Sequence, residues 1–80
     1  MNDMSNAPMR YAMNSRAEGM AFLKLSQTQR RISWNYRRWA LTELHINGKT
    51  ARYEKWAAEA RTLWSGAKYH LEVARRKLHG

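Results

Sequence analysis

Between Glu18 and Glu43 the chain holds no acid, and that stretch carries Lys24, Arg30, Arg31, Arg37 and Arg38. Arg30 and Arg37 stand seven residues apart, as do Arg61, Lys68 and Arg75 further along. Seven residues are two helical turns, so each set forms a ridge on one side of a helix. Cations in such rows are suited to neutralising phosphates spaced along a polymer. The candidate polyanion-binding residues are therefore Arg30, Arg31, Arg37, Arg38, Arg61, Lys68 and Arg75, with Glu54 and Glu72 diluting the ridge. Over the whole chain, 15 Lys and Arg against 6 Asp and Glu leave a formal charge of +9, which favours nucleic acid, anionic membrane or acidic protein as partners.

A second set is apolar. Leu23, Trp34 and Leu41 are expected to form a line on the back of the first helix, flanked by Arg30 and Arg38. A stripe on the side away from the partner helix would be wasted in a monomer. It reads as dimer core, or as an anchor for a protein partner, because Trp and Arg dominate binding hot spots. Stacking of Trp34 on an unpaired base is a further use of the same ring.

Other chemistry finds no arrangement to carry it. His45, His70 and His79 are scattered, with no i, i+4 histidine pair and no carboxylate placed with them as a ligand set. The four glycines are isolated at 19, 48, 66 and 80, so no phosphate loop is present. Cysteine is absent, which removes thiolate catalysis, disulfides and zinc fingers. No nucleophile–base or paired-carboxylate arrangement is recognisable. The reading is a binding protein, not an enzyme, with no cofactor and no metal.

The elements that must position these side chains follow from a heptad rhythm. Leu25, Ile32 and Trp39 fall seven apart, and after His45-Ile46-Asn47-Gly48 so do Trp56, Leu63 and His70. Folded back, this register pairs Trp39 with Trp56, Ile32 with Leu63 and Leu25 with His70. It predicts an all-α fold, a long antiparallel two-helix hairpin of coiled-coil character over about 15–44 and 51–78. Tyr36 joins the expected seam on the first helix. On the second, Tyr53, Trp56, Ala60, Leu63, Trp64, Ala67, Leu71, Ala74 and Leu78 form the expected buried arc, with alanines admitting a close approach.

Ser15-Arg16-Ala17-Glu18 has capping-box spacing and sets the expected start of the first helix. Asn47-Gly48 supplies the left-handed stop, and Thr50 the next N-cap. Gly66 marks a mild bend or a close contact, or is a tolerated surface glycine, and the last is the favoured account. Residues 1–14 show no clear period and read as a flexible N-terminal arm, leaving 15–80 as the hairpin domain.

Two helices in 80 residues bury only a thin core, so a homodimeric helical bundle is expected to complete it. No apolar run approaches the roughly 20 residues of a membrane span, and the first residues lack the basic and apolar regions of a secretory signal, so a cytoplasmic protein is expected. The leading functional expectation is a small basic regulator that contacts nucleic acid through backbone phosphates. The alternative is a protein-binding modulator, an inhibitor or adaptor, docking on an acidic or nucleic-acid-processing protein or complex through an aromatic and basic helix face. An amphipathic basic helix resting on anionic membrane is the least favoured of the three.

Overall fold

The structure is a computed structural model that describes the backbone of residues 3–79 and the side chains of 15–79. Two helices account for nearly all of it: α1 (Asp3–Asn47) and α2 (Ala51–His79). They pack against each other as an antiparallel hairpin. The molecule is a single layer, with Cα extents of 63 × 24 × 12 Å.

The hinge follows from local chemistry. Gly48 adopts φ +82°, and its amide donates to Leu44 O at 3.0 Å, ending α1 as its sequence context requires. Thr50 then caps α2: its hydroxyl oxygen accepts from the Tyr53 amide at 3.1 Å. The same hydroxyl donates to Glu43 Oε2 at 2.7 Å, while Asn47 Nδ2 donates to Glu43 Oε1 at 3.1 Å. Glu43 thus ties the last turns of α1 to the cap of α2. The Thr50 hydroxyl and then the Asn47 amide hold its carboxyl below the usual carboxylate range.

The start of α1 differs from expectation. The helix runs unbroken from Asp3, so Ser15 is an interior residue and not a cap. Its hydroxyl crosses to α2 and donates to Lys77 O at 3.3 Å. The side chains of the expected arm, residues 1–14, lie outside those described.

The seam also differs from expectation. The residues at its centre are small: Gly19, Ser26, Ser33 and Ala40 on α1, seven apart, against Ala60, Ala67 and Ala74 on α2, also seven apart. Ser26 Oγ donates to Ala67 O at 2.6 Å and Ser33 Oγ to Ala60 O at 2.7 Å. A serine side chain is short, so these bonds require the two backbones to approach closely. Each acceptor carbonyl has a second lone pair free for this, beyond its own intrahelical bond. Gly19 belongs to the same row: a Cβ there would stand 2.8 Å from Leu78 Cγ.

Leu25, Ile32 and Trp39, expected in the seam, are 40, 39 and 52% exposed. The physical reason is space. Once small residues bring the helices together, Leu and Trp cannot fit between them and are displaced to the flanks. The expected pairing of Trp39 with Trp56 does occur there, with ring centroids 5.9 Å apart. His70 stacks on Phe22 at 5.6 Å, and its Nδ1 donates to Gln29 Oε1 at 2.7 Å. Gly66 faces this same Gln29 and is half-buried, so it is a close-approach position and not a surface glycine.

Candidate polyanion-binding face

With Gly19, Ser26, Ser33 and Ala40 at the seam, helical spacing assigns every other side chain of α1 to one of two flanks or to the outer edge. Arg30 and Arg37 lie on one flank, four residues beyond Ser26 and Ser33 respectively. On α2, Arg61, Lys68 and Arg75 each follow a seam alanine by one residue and lie on the same side of the hairpin. The antiparallel arrangement therefore joins the two ridges on one broad face. Arg31 and Arg38 are separated from them: both are exposed on the outer edge of α1.

Two tryptophans stand among these cations. The Arg30 guanidinium of α1 reaches across to lie 5.7 Å from the centroid of Trp64 on α2. Arg37 sits 5.7 Å from the centroid of Trp34 on its own helix. A guanidinium within about 6 Å of an indole face is attracted by the ring quadrupole, by about 0.5–1 kcal/mol where exposed. Both rings remain open to solvent, Trp34 at 49% and Trp64 at 40%. The contacts order the arginines without covering the rings.

Between the helices on this face runs a groove of about 550 Å³, lined by Trp34, Arg37, Leu41, Tyr53, Arg61 and Trp64, with Ser33, Ala40, Ala57 and Ala60 at its floor. Its depth comes directly from the seam, because alanine and serine leave a trough between the larger flanking side chains. Trp34 and Leu41 therefore do not lie on the back of α1, as their spacing relative to Leu25 and Ile32 implied. Displacing the seam turns them sideways, into the same face as the basic ridges. Leu23, half-buried, follows the row of Arg30 and Arg37.

Charge is unevenly shared. Glu54 stands in the row of Arg61, Lys68 and Arg75, and Glu72 lies four residues after Lys68 and three before Arg75. The two ion pairs among the described side chains, Arg76–Glu72 at 3.8 Å and Lys77–Glu18 at 3.6 Å, involve none of this face's cations. The opposite broad face carries Glu18, Glu43 and Glu59 with Arg52 and Lys77, and so does not share the positive surplus. Among the described residues no cluster of three His, Asp or Glu could hold a metal ion.

Trp64 and Leu78, expected in a buried arc, are instead 40 and 37% exposed. For Trp64 the available signal is its position three residues after Arg61 and four before Lys68, which puts all three on one side of α2. Comparison with protein-family models, curated proteins and solved structures finds no match to this chain.

Proposed function

We propose that this chain is a binding protein that engages nucleic acid through its phosphate backbone, using the face that bears Arg30, Arg37, Arg61, Lys68 and Arg75. The observation that carries this reading is the convergence of two basic ridges, one from each helix, beside exposed Trp34 and Trp64. The cations supply the attraction, and counterion release supplies much of the free energy. Direct base readout has no built device here, so affinity should depend weakly on sequence.

Fluorescence anisotropy of nuclease-treated protein with labelled random-sequence DNA and RNA tests it. Binding is expected at low salt and weakens steeply as salt rises, with a log–log slope of roughly −4 if most of the five cations contact phosphates. Absence of binding to both polymers at low salt overturns the reading.

A second reading, docking on a protein partner, is favoured by the groove itself. It is lined by two tryptophans, a tyrosine and a leucine, which suits an inserted apolar side chain as well as a base. A stoichiometric protein retained after nuclease and moderate salt, and lost in Trp34→Ala, would select this reading over the first.

A further inference from the structure

The face opposite the basic one carries a series of large apolar side chains among nearly balanced charges. Along it stand Phe22, Leu25, Ile32, Tyr36 and Trp39 of α1, beside Trp56 and Leu63 of α2. Near the turn the rings form a continuous series, Tyr36 edge-on to Trp39 at 5.4 Å and Trp39 tilted against Trp56 at 5.9 Å. Among the described side chains, the Arg52 guanidinium lies 5.7 Å from the Trp56 centroid and His70 stacks on Phe22, while Leu25, Ile32 and Trp39 stay exposed.

We infer that a second copy of the chain docks here, face to face, turning two hairpins into a four-helix bundle. Three observations favour a copy over another occupant. The hairpin needs a second layer, since among the described residues the buried apolar ones are the four alanines Ala40, Ala60, Ala67 and Ala74 and no large side chain is fully enclosed. The area suffices: the paired part of the hairpin offers a footprint of roughly 1,000 Å², against about 800 Å² per partner in a standard stable interface. Charge permits it, because two chains of +9 repel least across the surface where Glu18, Glu43 and Glu59 offset Arg52 and Lys77. A nucleic acid has no cationic row to meet on this side.

In such a dimer the aromatic series of one copy supplies the missing core of the other, and the two basic faces point outward in opposite directions. This last consequence rests on the proposed polyanion reading; the dimer does not, and it is tested with no nucleic acid present.

Light scattering on nuclease-treated protein is expected to give twice the chain mass of 9.5 kDa. The melting midpoint of the wild type should rise with protein concentration, as it does for folding linked to association. Leu25→Glu with Ile32→Glu should convert the protein to single chains, whereas Trp34→Glu with Leu41→Glu on the opposite face should leave it dimeric. Both positions of the first pair are solvent-exposed in the isolated hairpin, so the seam is untouched. Should that variant unfold, the concentration dependence of the wild type still decides. A wild type with single-chain mass and a concentration-independent midpoint overturns the inference. So does a dimer that survives Leu25→Glu/Ile32→Glu, or one that Trp34→Glu/Leu41→Glu dissolves.

Discussion

The two broad faces of the hairpin share the same helices and the same seam, yet present opposite chemistry. One carries Arg30, Arg37, Arg61, Lys68 and Arg75 around two open indoles; the other carries Leu25, Ile32, Trp39 and Leu63 with nearly balanced charge. In an ordinary coiled coil the large apolar residues fill the seam and charged residues border it, so the two flanks resemble one another. Here serine, glycine and alanine fill the seam, and the large residues are displaced to the flanks. Each flank is then free to specialise. The difference teaches that a close-packed seam gives up an internal core and leaves two chemically distinct surfaces.

The sharpest way to break the comparison is to make the seam behave like an ordinary one. Ser33→Leu places a branched side chain where Ser33 Oγ now sits 2.7 Å from Ala60 O, forcing the helices apart. Its cost is expected to be about 3 kcal/mol from overpacking and the lost bond, with both faces disrupted together. Ser33→Ala, which keeps the close approach, should cost about 1 kcal/mol. Thermal unfolding followed by circular dichroism measures both.

A cleaner test separates the faces. Reversal of Arg30, Arg37, Arg61 and Lys68 to Glu should abolish polyanion binding while helicity persists. Trp39→Ala on the other face should leave the salt slope of binding unchanged. Anisotropy titrations at several salt concentrations read both results, and equal losses from the two variants would dissolve the functional distinction between the faces.

Smaller effects come from the hinge that sets the faces in register. Gly48→Ala imposes a side chain on φ +82° and is expected to cost about 1 kcal/mol in urea unfolding, with nothing nearby to clash. Glu43 gives the smallest effect, visible through pH. Its carboxyl is held below the usual carboxylate range by Thr50 and Asn47, so its stabilising contribution is present above that range and is lost as pH falls through the lowered value. Glu43→Gln should therefore flatten the acid side of the stability–pH profile and leave the neutral side parallel to wild type. Urea midpoints measured across that range check the slope.

Much of the fold was legible because it depends on local chemistry. Asn47-Gly48 and Thr50 announce a stop and a cap through backbone conformation and one side-chain hydrogen bond, and both operate as read. Helical period marked α1 and α2, and the alanine row of α2 lies where its spacing put it. The seam of α1 is not legible from hydrophobicity, because burial there follows side-chain size. Ser26 and Ser33 are polar and yet buried at 6%, since each hydroxyl finds a carbonyl on the facing helix. A search for small residues at heptad spacing, rather than apolar ones, would have found Gly19, Ser26, Ser33 and Ala40. At the groove, Trp34, Leu41 and Trp64 stand where the small-residue seam puts them and not where a seam of Leu25, Ile32 and Trp39 would.

By itself, the sequence determined the helices, the turn that joins them, the antiparallel sense and the rows into which the charges fall. Each of these is set by interactions within a few residues or by strict helical period. Which row faces inward was decided only in the tertiary structure, because two stripes seven residues in period and one position apart compete for the seam. Close approach of backbones, with Ser26 and Ser33 bonding across it, excludes the bulky stripe beside them. That exclusion exposes Leu25, Ile32 and Trp39 on one face, and brings Trp34 and Trp64 among the arginines on the other.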